Sequence, residues 1–146
     1  MIKILPNIYL STEFDVLDNS LETNSIDTVI VFVNNINNPT DTYKQDYIPE
    51  QNQFDKTVKH INQSYPIDFD FLNNILLDYL TFSKNLLIVS KNNLYGFAVL
   101  GGFIGKNLKV SLIEILTLAK YHKINISGTQ EYQQLLNFNE LLKKIN

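Results

Sequence analysis

The 146-residue chain contains no cysteine, no tryptophan and no arginine. Without cysteine there is neither a disulfide framework nor a thiolate metal site, so the fold must rest on its apolar core. Without arginine the chain lacks the planar guanidinium fork, the side chain best matched to the paired oxygens of phosphate or carboxylate. Its twelve cations, all lysine, are outnumbered by fifteen carboxylates, for a net charge of −3. That balance leaves no basic surplus, and no nucleic-acid partner is expected. No stretch approaches the roughly 20 apolar residues that cross a bilayer, so no membrane association is expected. The opening Met1-Ile2-Lys3-Ile4-Leu5-Pro6 lacks the basic region, apolar core and cleavage site of a secretory leader, and an intracellular protein is expected.

What is present is ordinary globular material. The hydrophobic share is 45% and the charged share 18%, which argues against disorder. A chain of this size can bury roughly two-thirds of its surface, and one domain spanning residues 1–146 is expected.

The organising stretch is Asn85–Asn107. Its unbroken apolar run, Leu86-Leu87-Ile88-Val89, ends at Ser90, passes a short polar loop, and resumes as an apolar segment containing Ala98, Gly101 and Gly102. This is the pattern of a buried central strand feeding a helix through a tight turn. In open α/β sheets the crevice at the carboxyl end of such a strand is the usual ligand site, and helix-start amides can cradle an anion.

The rest of the chain reads as scaffold. From Ile2 to Val33 the pattern is strand, short helix, strand, with Phe14, Leu17 and Leu21 at helical spacing and Thr28–Val33 apolar on both faces. Asn34 to Asp55 is polar and rich in turn residues, and reads as a long surface loop. Lys56 to Ile61 reads as a strand and Gln63 to Asp70 as the loop after it. Phe69, Leu72, Leu76, Leu77 and Leu80 form an apolar stripe at helical period, and Asp68 and Asp70 suit the start of that helix, where negative charge complements the dipole. Ser111 to His122 reads as a capped helix that buries Leu112, Ile115, Leu116 and Ala119. Thr129 to Ile145 closes the chain with Leu135, Leu136, Phe138, Leu141 and Leu142 apolar, and Lys143-Lys144 suits a solvated helix end. His60 and His122 show no metal-like spacing and no adjacent nucleophile, so neither a metal nor a cofactor is expected.

Ser90-Lys91-Asn92-Asn93-Leu94-Tyr95-Gly96 between strand and helix resembles the signature loop of the dual-specificity protein phosphatases, His-Cys-x-x-Gly-x-x-Arg-Ser/Thr. The resemblance extends along the chain. Asn7-Ile8-Tyr9-Leu10-Ser11 is similar to the family's opening strand, Ser25–Val33 to its next strand, Val110–Leu116 to its "M-S-x-x-E-A-L" helix start, and Tyr132–Leu136 to the "F-x-x-Q-L" stretch of its last helix. It implies an α/β, phosphatase-like domain with a central, mostly parallel sheet of about four to five strands flanked by helices.

The resemblance also implies what is missing. Ser90 stands at the nucleophilic Cys position, Asn93 at the loop Gly, Gly96 at the phosphate-gripping Arg, Phe97 at the following hydroxyl, and Val89 at the preceding His. The general-acid position falls at about Asn62-Gln63-Ser64, none of which donates a proton with a useful pKa. A serine hydroxyl needs a neighbouring base, and the loop's sole cation, Lys91, is expected to face solvent. Asn93 suits a positive-φ position, Ser90 and Asn92 can satisfy turn amides, and an uncharged hollow lined by Tyr95 and Phe97 is expected. The expectation is a catalytically inactive pseudophosphatase that acts by binding another protein. A self-associating structural protein, with a second copy as its partner, and a weak hydrolase using Ser90 with Asp68 or Asp70 remain as alternatives.

Overall fold

The computed structural model describes residues 1–12, 21, 24–33 and 57–145. The short helix expected over 13–21, apart from Leu21, and the polar loop expected over 34–55 lie outside the described residues.

Strands β1 (Ile2–Leu5), β2 (Ile8–Thr12), β3 (Thr28–Val33), β4 (Thr57–Asn62) and β5 (Leu86–Ser90) form one sheet in the order β1-β2-β5-β3-β4. β1 and β2 are an antiparallel hairpin, whereas β2, β5, β3 and β4 run parallel. The amino-terminal segment read as one strand is thus two, because Pro6 and Asn7 form a turn between them. The expected mixed, mostly parallel sheet is present with five strands.

β5 lies in the middle because its sequence allows nothing else. All five of its residues are buried, as are all six of β3, so neither strand could stand at a half-solvated edge. The period-two alternation then sorts the side chains. Ile8, Leu10, Ile30, Phe32, Leu86 and Ile88 enter the larger core, and Tyr9, Val29, Val31, Val33, Leu87 and Val89 enter a smaller core on the opposite face. The registers Thr12↔Ser90 and Val31↔Val89 place Ser90 at the carboxyl end of the central strand. At the other end, the Asp27 carboxylate accepts hydrogen bonds from the Lys84 and Asn85 amides (2.9 and 3.1 Å), which fixes the turn feeding β5.

The larger core receives residues from four helices: α1 (Phe69–Leu80), α2 (Asn93–Asn107), α3 (Leu112–Tyr121) and α4 (Gln130–Ile145). Each start carries a capping side chain. Asp68 accepts from the Phe71 amide (3.2 Å), Asn92 from Leu94 (3.0 Å), Ser111 from Glu114 (3.2 Å) and Thr129 from Tyr132 (3.1 Å). On α1, Leu77 is 41% exposed and Asn73 is buried in its stead, with its side-chain oxygen accepting from Asn107 at 2.5 Å. Leu141 of α4 also lies outside the core, 55% exposed.

α2 is the hub of the helical layer. Its residues Tyr95 through Ile104 are buried without interruption, which is possible only for a helix covered on all sides. Its small residues let the neighbours approach. A Cβ on Gly101 would stand 3.1 Å from both Ile115 of α3 and Leu135 of α4, and one on Gly102 would overlap the Phe69 ring of α1. Phe69 cannot easily move aside, because it is stacked on Phe138 of α4 with 4.6 Å between ring centroids. Gly102→Ala is therefore expected to cost about 1–3 kcal/mol of stability by overpacking. Urea unfolding should show an unchanged slope and a lowered midpoint, whereas a midpoint equal to that of the parent would contradict this packing.

Candidate functional site

The site follows from the way β5 becomes α2. β5 ends at Ser90, two residues later Asn92 caps the helix, and Asn93 is already its first residue. The connection is thus Lys91-Asn92, the short polar loop and tight turn expected there. Asn93 is helical and does not take the positive φ expected of it; among the described non-glycine residues only Ser25, Lys109 and Lys123 do. The backbone needs no left-handed residue there, because the helix starts at once.

The Ser90 hydroxyl closes this junction. It accepts a hydrogen bond from the Gly96 amide at 3.2 Å and donates to the Asn92 carbonyl, and the residue is 1% exposed. Together with the Asn92–Leu94 cap, this satisfies the amides of Leu94 and Gly96 inside the chain, as expected of Ser90 and Asn92. An anion cradle needs such N–H groups directed outward and unpaired. Gly96 leaves no space for a longer residue: a Cβ would lie 2.6 Å from Leu10 Cδ1, 3.0 Å from Ser90 Oγ and 3.3 Å from Ile88 Cγ2. An arginine at this position would have to push apart the two central strands' side chains.

The remaining loop residues divide between solvent and core. Lys91 and Asn92 are exposed, and Asn93 and Leu94 are partly buried. Tyr95 and Phe97 are 1% and 0% exposed, so they are core residues and do not line an open hollow. The expected hollow is filled by the side chains that were to form its wall.

The second segment, Asn62-Gln63-Ser64, meets the first through Tyr95. Asn62 is the last residue of β4, paired with Val33, and does not belong to the loop. The Gln63 side chain donates to the Tyr65 hydroxyl at 3.3 Å. The Ser64 amide donates to the Tyr95 hydroxyl (3.2 Å), which donates in turn to the Ser64 carbonyl (3.1 Å). Tyr95 also holds edge contacts with Phe32 and Tyr65, at centroid distances of 5.0 and 5.5 Å. Beyond it, the Tyr65 hydroxyl donates to the buried carboxylate of Glu131 at 2.5 Å, and the Ile67 amide donates to Gln134 at 2.5 Å. This Ser64–Tyr95–Tyr65–Glu131 network was not foreseen from sequence. Its members are separated by 31 and 66 positions, and an isolated Tyr in an apolar run carries no signal of its partner.

Burial pushes the Tyr95 phenol above its ordinary value, partly offset by its hydrogen bonds with Ser64. Burial, with the neighbouring Glu131 carboxylate, also raises Tyr65. Neither of the carboxylates considered as partners of Ser90 is free. Asp68 caps α1, as its position suggested, and Asp70 forms an ion pair with Lys106 at 3.0 Å. His60 lies on β4, and His122 is the carboxyl-terminal cap of α3, with its ring against Tyr121. Among the described residues no helix is long and apolar enough to cross a membrane.

No protein-family model and no curated protein matches the sequence. Solved structures do. The chain is similar to human DUSP28, with 12% identity, a TM-score of 0.74 and all of both chains covered. It is similar to the human tyrosine phosphatase-like serine/threonine/tyrosine-interacting protein at 13% identity, with a TM-score of 0.71 and 94% of each chain covered. It also resembles a leucine-rich repeat and phosphatase domain-containing protein from Entamoeba histolytica, at 16% identity and a TM-score of 0.68, over 99% of this chain and 94% of that one. The fold is that of the dual-specificity phosphatases, as the order of motifs implied.

Burial of the Tyr95 phenol sets a measurable pH dependence. A phenol whose folded pKa lies above its unfolded value near 10 adds stability below about pH 10 that is lost as pH rises through the folded value, because the unfolded chain releases its proton first. Tyr95→Phe is expected to cost about 1–2 kcal/mol at neutral pH through its two hydrogen bonds. It should also flatten the fall of the unfolding midpoint above pH 10. A Phe variant with the parent's stability and the parent's alkaline slope would contradict the contact.

Proposed function

We propose that this protein is a catalytically inactive, phosphatase-like domain that acts by binding another protein. The observation that carries this reading is the closed junction at Ser90, whose hydroxyl is held by the Gly96 amide and the Asn92 carbonyl. Hydrolysis of a phosphoester on this fold requires a nucleophile, an anion cradle and a proton donor to the leaving oxygen. Each requirement is unmet by the residues at the corresponding places. Among the described residues the Ser90 hydroxyl is bonded to no base, and its proton is already donated to the Asn92 carbonyl; Gly96 offers no charge; Ser64 has its backbone tied to Tyr95.

The loss of charge matters more than the loss of the thiol. A serine in an intact cradle would still hold a phosphate dianion, but a site without arginine and with its Leu94 and Gly96 amides paired internally is poorly equipped to hold one. What the chain retains is the scaffold, and a scaffold without its site is suited to recognition by surface. The neighbour named a tyrosine phosphatase-like interacting protein supports a binding role for such a fold.

Purified protein incubated with para-nitrophenyl phosphate and with a phosphotyrosine peptide is expected to give no turnover above the buffer rate. Ser90→Ala and Ser90→Cys should behave identically to the parent, because neither restores the cradle. A rate that Ser90→Ala abolishes would overturn the reading.

A further inference from the structure

The charge of this acidic chain is unevenly distributed. Residues 106–146 carry six lysines against three glutamates, whereas the remainder carries six lysines against twelve carboxylates. Within the basic part, Lys106 is paired with Asp70 and Lys143 with Glu140, and Glu131 is bonded to Tyr65. Lys120 and Lys123 have no ion-pair partner among the described residues.

Those two lysines border a groove of about 590 Å³ along α3 and the segment that follows it. Leu116, Ile124 and Ile126 contribute apolar lining, and Ile113 stands on its rim, 77% exposed. Tyr121, next to Lys120, is 78% exposed. Lys123 has a φ of 60° immediately after the α3 cap residue, a left-handed position that favours glycine or asparagine. Lys109 takes the same conformation after the cap residue of α2, so helix termination accounts for this backbone, and what sets Lys123 apart is its place on the groove beside Lys120.

We propose that this groove receives an acidic amphipathic segment of a partner protein, whose apolar side chain enters beside Ile113 and Leu116 while its carboxylates pair with Lys120 and Lys123. The proposal rests on the binding role given above and names the chemistry of the partner. The apolar lining and the two unpaired cations favour such a peptide over a nucleic acid, which needs a longer basic track and exposed stacking rings along it.

The probe is a fluorescein-labelled peptide of about 12 residues with Leu at helical i, i+3, i+4 and i+7 spacing and Glu elsewhere, beside a counterpart with every Glu replaced by Lys. Fluorescence anisotropy at near-physiological salt should show saturable binding of the acidic peptide alone. Amide shifts should cluster between Ile113 and Ser127. The double variant Lys120→Glu/Lys123→Glu should weaken binding about tenfold, and Ile113→Asp should do the same, whereas the charge-matched double variant Lys59→Glu/Lys84→Glu, away from the groove, should not. All of these sites are exposed, so thermal unfolding should match the parent. Equal binding of the basic peptide, shifts elsewhere, absence of saturation up to about 1 mM, or indifference to the double variant would each overturn the proposal. Phosphatase turnover combined with lysine-dependent peptide binding would sink the inactive reading and leave this surface standing; inactivity without binding would do the reverse.

Discussion

The structure depends on one short contact, the amide of Gly96 against the hydroxyl of Ser90. It sits where the central strand hands over to the central helix, and it is possible only because residue 96 has no side chain. The contact lets α2 start two residues after the strand and lie close over Leu10 and Ile88. Once α2 is seated in this way, Gly101 and Gly102 present flat surfaces to α1, α3 and α4, and the larger core assembles around it. Overpacking at any of these glycines acts on an interior of near-crystalline density, where displacement of one side chain is transmitted to the next.

The same contact carries the functional argument. In a phosphate-binding loop the amides of the strand–helix junction face an empty space and are paid for by the anion. Here the Leu94 and Gly96 amides are satisfied from within by Asn92 and Ser90, and Tyr95 and Phe97 are buried in the core. Tyr95 then reaches across to Ser64, so the junction and the segment after β4 are joined to each other. Apolar packing and neutral hydrogen bonds at this junction carry no desolvation cost of a buried charge.

The fold was legible in the sequence because its determinants are local or periodic. The continuous apolar runs of β3 and β5, the α1 stripe and the Asp68 and Ser111 caps can be read within a few residues, and, Leu77 of the stripe apart, each is found where expected. The amino-terminal hairpin was missed because a two-residue turn at Pro6-Asn7 hardly interrupts a strand-like run. Leu77 was misplaced because helical period does not reveal that Asn73 is drawn inward by Asn107. At the site, which residues stand at the strand–helix junction was legible, since it needs only the motif's spacing. The conformation was not: the helical state of Asn93 and the inward turn of Tyr95 depend on contacts with Leu10, Ser64 and Phe32, from distant parts of the chain.

The most direct measurement is a titration of the isotopically labelled protein with inorganic phosphate and with a phosphotyrosine peptide, following the amide resonances of Ser90 to Phe97. With the Leu94 and Gly96 amides paired internally, these resonances should not move up to about 10 mM ligand, far above the affinity of a functional anion cradle. Saturable shifts confined to this segment at micromolar to low-millimolar ligand would contradict the account, because they would require the junction to open and the amides to turn toward the anion.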